Sequence, residues 1–371
     1  MRGFFIHLAL AENDVGVRRK IDSQVSALSR IADVKAIPVQ RTVLGKILER
    51  TPFASCRLDA VNAEIDCPDF LYIRKWAVDR SLLSFLRSMK NTYPYCLIII
   101  EIPAYPYDRE YLHRIKDLPI LAKDRWNRRR LEGCVDRIAT YSDDDRIFGV
   151  ETIQVVNGID VDSVRPKTQA KKEAGRIDLI AVATMLKHHG YDRVLQGLGD
   201  YYRSGPDERV VLHLVGDGPE LRNYRALAES NNIDEHVEFH GRLEGESLDA
   251  LYDYCDIGLV TFGAYRNGVK RGSFLKSREY LARGIPMVAG CPIDIFENTS
   301  FPYCHQVPNN DTPVPIAEVV TFYKETVLAA PSQRVVESMR QYASRTCDMR
   351  RAMDPVVSFL TGDAYRCEST T

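Results

Sequence analysis

Short apolar runs alternate along this chain with segments whose apolar residues recur at helical spacing, and the alternation stops once and then restarts. Phe4–Leu10 reads as a strand, and Val17, Ile21, Val25, Leu28 and Ile31 keep the spacing of a helix. Phe70–Ile73 is a strand, Asp79–Lys90 a helix and Leu97–Ile102 a strand. Residues 108–136 read as one or two helices broken near Pro119, followed by strands at Arg137–Tyr141 and Thr152–Val156. From Val164 to Arg176 the pattern gives way to Pro166, Lys167, Lys171, Lys172 and Glu173, a polar linker. It resumes with strands Leu179–Ala183, Val210–Val215, Val237–His240, Ile257–Thr261 and Pro286–Ala289. Helices Asp192–Tyr202, Glu220–Asn231, Leu248–Cys255 and Ser277–Arg283 separate them. Two such series predict an α/β protein of two doubly wound, Rossmann-like domains. Ligands of such sheets bind beyond the C-terminal strand ends, so the cleft between the domains is the expected site.

Composition narrows the reading. Of 371 residues, 45% are hydrophobic and 27% charged, with Lys+Arg 50 against Asp+Glu 51. That excludes a coiled coil or long disordered tails and gives no bulk charge for nucleic acid. No apolar run approaches the ~18–20 residues of a membrane span. The start, MRGFFIHLALAEND, has Arg2, an apolar core and Ala-Leu-Ala. Its core contains His7 and is only about eight residues long, so a first buried strand is the better reading than a signal peptide. The nine cysteines include no CxxC pair, which argues against a zinc site or a disulfide framework and for a reducing, cytoplasmic compartment.

Three segments carry chemistry. VGDGPELRNY places Gly216 and Gly218 between a strand and a helix, where backbone can approach a ligand and the helix N-terminus favours an anion. Glycines in that position also serve packing. FHGRL is a second strand exit, with Arg242 as a fixed cation or a solvated surface residue. In LKSREYLARGIPMVAG, Lys276 and Glu279 share one helix face around Ser277, and Gly284 ends the helix. Such a pair is commonly a weak surface ion pair. At a sheet's C-terminal edge it places a carboxylate for ribose hydroxyls and an ammonium for phosphate.

Together these segments resemble the family 4 (group 1) glycosyltransferases of the two-Rossmann GT-B architecture, most specifically from Val155 to Gly290. NGID (Asn157–Asp160) resembles the family's Asn-Gly-Val-Asp, YDYCDIGLVTF its Tyr-x-x-Ala-Asp strand entry, and EYLARGIPMVAG its closing Glu-Ala-x-Ala-x-Gly-x-Pro element. Gly16-Val17 matches the family's glycine after the first strand. The resemblance implies a retaining, metal-independent transfer of sugar from a nucleotide-sugar donor to a glycan, lipid-linked or protein acceptor, with no cofactor. The expected setting is surface polysaccharide or glycoconjugate synthesis, in the cytoplasm or at the inner face of a membrane. Carried over, Gly16 and Val17 lie under the donor diphosphate, Gly216 and Gly218 wall the nucleotide pocket, and Glu279 binds the ribose, with Ser277 and Arg242 beside them. Domain bounds of 1–165 and 166–345 follow, with a last helix, about 346–371, crossing back onto the first domain.

The sequence departs from the family in three places. The first of its two glutamates falls at Arg271. Its Gly-Arg…Lys-Gly phosphate clamp aligns with Ala183, Thr184, His189 and Gly190, so Lys276, and next Lys187, are the expected substitutes. The strand that usually ends in a catalytic-site His ends in Glu101, a carboxylate for an acceptor or sugar hydroxyl, or else a loop cap. Asp143-x-Asp145 has metal-site spacing but reads as a capping cluster at a helix start. His188 and His189, as neighbours, do not suit a shared metal. A basic segment with Arg125, Trp126, Arg128, Arg129 and Arg130 suits an anionic membrane surface, or a solvated helix face. Arg80, Arg87 and Lys90, in the helix at 79–90, would extend it. Two other functions fit the departures: a non-catalytic subunit that binds a partner transferase, and a GT-B sugar-nucleotide epimerase.

Overall fold

A computed structural model of the chain describes residues 1–10, 15–40, 50–51, 58–112, 115–168, 175–297 and 299–362. Residues 169–174, with Lys171, Lys172 and Glu173 of the expected linker, and the chain end from 363 lie outside these. The chain forms two compact units, Met1–Val156 with Met349–Thr371, and Asn157–Asp348.

The first unit is built on β1 (Arg2–Leu8), β2 (Asp33–Val39), β3 (Phe70–Arg74), β4 (Leu97–Ile102), β5 (Arg137–Thr140), β6 (Arg146–Ile147) and β7 (Val150–Gln154). The sheet order is β2-β1-β3-β4-β5-β7-β6, parallel except for the β6–β7 pair. Side chains alternate between its faces: Leu71, Ile73, Ile98 and Ile100 enter one core cluster, while Phe70, Tyr72 and Ile99 enter the other. Burial on both faces explains why these strands read as unbroken apolar runs. The second cluster also takes Met349, Met353, Val356 and Leu360 from the C-terminal helices Met349–Ala352 and Asp354–Thr361.

The second unit carries β8 (Arg176–Val182), β9 (Arg209–Val215), β10 (Val237–Gly241), β11 (Ile257–Leu259), β12 (Met287–Ala289) and β13 (Cys304–Gln306). Their order is β10-β9-β8-β11-β12-β13, parallel throughout. Helices Tyr191–Arg203, Leu221–Ser230 and Ile316–Phe322 bury Val194, Leu198, Tyr224 and Val319 on one face. Helices Gly245–Tyr254, Leu275–Arg283 and Ser332–Thr346 bury Tyr252, Leu281, Val335 and Met339 on the other. Each such apolar side chain contributes roughly 1.5–3 kcal/mol of transfer free energy. Gly284, in the left-handed region at φ 79°, ends its helix as the sequence implied.

The break expected near Pro119 is where helix Leu118–Asn127 starts, after helix Asp108–Leu112; Pro119 sits in its first turn, where its missing N–H costs no helical bond. Local expectations fail where side-chain pattern misleads. Ser142–Asp145 caps no helix. It bends into β6, and the carbonyls of Asp144 and Asp145 accept from the Thr152 hydroxyl and N–H. β2 escapes a pattern reading because it is an edge strand containing Pro38, with only Ile37 and Val39 buried.

Candidate functional site

The strand order of the second unit reverses between β8 and β11, the place where successive loops diverge and leave a crevice. The segments around it are tied together. Phe262 N–H donates to the His189 carbonyl (2.8 Å), and the Tyr191 hydroxyl donates to the Val260 carbonyl (3.2 Å). Lys276, in the first turn of Leu275–Arg283, donates from Nζ to Tyr191 Oη (3.0 Å) and to the Val260 carbonyl (3.3 Å). Among the described residues no carboxylate pairs with it, and desolvation brings its ammonium down from 10.5 to about 7. His188 and His189, with ring centroids 4.5 Å apart, are held below the ordinary imidazole range by burial and by Lys276; His189 is pushed to about 2. Both are therefore neutral at pH 7. A cation with no counter-ion among the described residues, at the positive end of a helix dipole, is an arrangement that can receive an anion. A phosphate oxygen there restores the protonated lysine.

The other residues expected around a donor are placed differently. Gly216 lies at φ 126°, and a Cβ on it would stand 1.9 Å from the Ala183 carbonyl oxygen. Gly218 is in similar contact with Met185, whose N–H donates to the Asp217 carbonyl (2.9 Å). These glycines close the loop after β9 onto the loop after β8, the packing role. Ser277 is fully buried, its hydroxyl donating to Phe274 O (2.7 Å) and accepting from Arg278 (3.0 Å), so it is committed to the helix start. Glu279 is one-third exposed and accepts from Arg283 Nε (3.1 Å). Arg283 also pairs with Asp249 (2.7 Å) and lies over the Tyr252 ring. Lys187 and Arg242 are exposed. Arg271, where the resemblance places a glutamate, is ion-paired with Glu297.

In the first unit, Gly16 stands exposed in the first turn of helix Val15–Leu28 with nothing within 4 Å of a would-be Cβ, and Val17 is half-buried. Glu101 is completely buried. Its Oε1 accepts from Tyr141 Oη (2.6 Å) and pairs with Arg74 (3.1 Å) and Lys20 (3.4 Å), and its Oε2 accepts from Gln24 (3.3 Å). Burial acts to raise its pKa, but the two cations and these hydrogen bonds outweigh that and hold it below the ordinary carboxylate range. A substrate hydroxyl would have to displace Tyr141 or Gln24 to reach it.

The basic segment divides in two. Arg128 is turned inward, paired with Asp108 (2.6 Å) and lying over the Phe148 ring, and Arg125 pairs with Asp108 as well (2.7 Å). Trp126 is 70% exposed, and Arg129 and Arg130 are exposed beside it. Arg130 also borders a concavity of about 540 Å³ with Arg80 and Arg87, on the helix Arg80–Thr92.

Two buried arginines escape any local reading. Arg278 donates to the Asn157 carbonyl (2.9 Å) and grips both Asp294 oxygens (2.5 and 2.7 Å). Arg193 donates to the carbonyls of Phe262, Pro308 and Thr312. Charged residues in helices normally read as solvent-facing, and their acceptors lie far off in sequence.

Residues 164–290 match the family model of the group 1 glycosyl transferases. A GDP-mannose-dependent alpha-(1-6)-phosphatidylinositol monomannoside mannosyltransferase of Mycolicibacterium smegmatis is 26% identical over 141 residues, 36% of each chain. The matched stretch thus spans about a third of the length of such curated relatives. Among solved structures, Anabaena Alr3699/HepE in complex with UDP aligns over 98% of this chain and 100% of its own, at TM-score 0.63 and 12% identity. Sucrose-phosphate synthase from Thermosynechococcus elongatus aligns over 98% of both chains, at TM-score 0.63 and 14% identity. The fold is therefore that of the GT-B proteins, and residues 164–290 within it are similar to the group 1 glycosyl transferases.

Proposed function

We propose that this protein is a glycosyltransferase whose second unit holds a nucleotide-sugar donor at the reversal between β8 and β11. The observation that carries this is Lys276, an ammonium with no carboxylate partner among the described residues, at a helix start on the sheet's ligand edge. The donor's leaving group is a nucleoside diphosphate, so the reaction needs positive charge where phosphate charge develops more than it needs a protein nucleophile. Lys276 and the first turn of its helix supply that charge, with exposed Lys187 nearby in sequence to His188 and His189. Glu279 turns from Arg283 to the donor ribose. Transfer proceeds with retention and without a catalytic metal. The UDP complex of the Anabaena neighbour and the GDP-mannose dependence of the mycobacterial relative support a nucleotide-sugar donor as a class. The acceptor is a glycan, a lipid-linked sugar or a glycoprotein, approached from a membrane surface on which Trp126, Arg129 and Arg130 dock.

The second reading, a non-catalytic subunit that retains donor binding, is favoured by Arg271 paired with Glu297 at the family's acidic position. Melting curves against UDP-, GDP-, ADP- and TDP-sugars, followed by donor hydrolysis assays, separate the two. A ligand that binds only the native state raises its Tm. We expect one nucleotide class to raise Tm and its sugar to be released slowly without acceptor. Binding without turnover, with or without acceptor extracts, selects the subunit; no binding by any of the four rejects both readings.

A further inference from the structure

β10 places Glu238 and His240 two residues apart, on one face of an edge strand, and β9 sets His213 directly opposite Glu238. The ligand atoms of the three converge within 4.8 Å of one another. His213 Nδ1 is 2.9 Å from His240 Nε2, and Glu238 Oε2 is 3.4 Å from the first and 3.6 Å from the second. Zinc bonds of about 2.0–2.1 Å put neighbouring ligand atoms of a tetrahedron about 3.3 Å apart. The observed triangle already has that size.

The surroundings fit as well. His213 Nε2 faces buried Asp178 Oδ1 at 2.9 Å, so the carboxylate takes the ring's N–H and leaves the Nδ1 lone pair aimed at the triangle. A carboxylate behind a histidine is the usual support of a metal-bound imidazole. Arg176 also reaches this cluster, 2.8 Å from Asp178 Oδ1 and 3.4 Å from Glu238 Oε1, which leaves Glu238 Oε2 facing the imidazoles. With both rings neutral, two carboxylates and one guanidinium carry a net charge of −1, and a divalent cation converts this to +1. His240 is a quarter exposed and Glu238 about half, which leaves a path for entry and a fourth position for water.

We propose that His213, Glu238 and His240 form a structural binding site for a divalent cation of zinc type. The ion pins edge strand β10 to β9. His240 precedes Gly241, whose carbonyl accepts the Gly216 N–H at 2.6 Å, so the clamp lies directly below the loop that packs on the end of β8. It is roughly 10 Å along the sheet from the β8–β11 reversal, two strand spacings away, and takes no part in sugar transfer.

The test uses the full chain stripped with a chelator. Zn²⁺ is titrated by calorimetry, and Co²⁺ by its visible absorption, which reports coordination geometry. We expect one equivalent bound, a tetrahedral-type cobalt spectrum and a rise in Tm with zinc. His240→Gln and Glu238→Gln, whose side chains are partly exposed, should each weaken zinc binding at least tenfold. Both should keep the metal-free protein's circular dichroism and Tm. No saturable binding by the unaltered chain, or binding undiminished in either variant, would overturn the site and leave a hydrogen-bonded Asp178–His213–His240 relay.

Discussion

The chemistry proposed for this protein concentrates in one lysine. Lys276 is held at about 7 in the free protein by desolvation, against 10.5 in solution. Between those values the unfolded chain binds more protons at this position, so its contribution to stability improves as pH rises across that window. A bound diphosphate acts the other way and raises the lysine's pKa. Donor affinity should therefore be greatest below pH 7 and fall as pH rises through 7. Calorimetry at pH 8 in buffers of different ionisation heat should register proton uptake on binding. Lys276→Met should abolish that uptake and weaken nucleotide binding roughly 10- to 100-fold, the loss of one charge-assisted contact. An unchanged pH profile in the variant would remove Lys276 from the anion site. Glu101 shows the opposite sign: held below its ordinary 4.5, it stabilises the first unit above that pH and loses the effect as pH falls through its folded value. Sequence alone singled out both residues. It did not reveal that, among the described residues, one has no counter-ion while the other has two, because Tyr191, Lys20 and Arg74 are brought to them from distant segments.

At the level of elements, the loop after β9 matters as a brace for the loop after β8. Gly216→Ala puts a methyl group against the Ala183 carbonyl and an L-residue at φ 126°. Strain of this kind costs roughly 1–3 kcal/mol. The variant should lower the second unit's urea midpoint and weaken nucleotide binding together; a wild-type midpoint would mean that the two loops part without cost. The strand–helix alternation was legible because both faces of each sheet are covered, so strands such as Leu97–Ile102 are apolar almost throughout. Edge elements were less legible. β2 buries only two of its seven residues, and β13 is only three residues long, too short for any period to register.

For the whole molecule, the exposed Trp126 with Arg129 and Arg130 predicts attachment to anionic vesicles that weakens with salt. Flotation with phosphatidylglycerol vesicles should carry the protein upward at low ionic strength. Replacing the three residues by alanine should leave it in the soluble fraction, and equal flotation of the variant would locate the contact elsewhere. Arg125 and Arg128 should matter less, since both are already paired with Asp108, and Arg128 also with Asp124. Two doubly wound sheets, the glycine that ends helix Leu275–Arg283 and the segments that carry chemistry were all determined by the sequence itself. Those features depend on local periodicity, helix-ending chemistry and spacing, each written within a dozen or so residues. Which glycines pack, which arginines are buried and that Lys276 has no carboxylate partner among the described residues were decided only by tertiary structure. Such properties depend on partners tens of residues away or more than a hundred, as Arg278 and Asn157 are, and burial rather than residue type sets their energies.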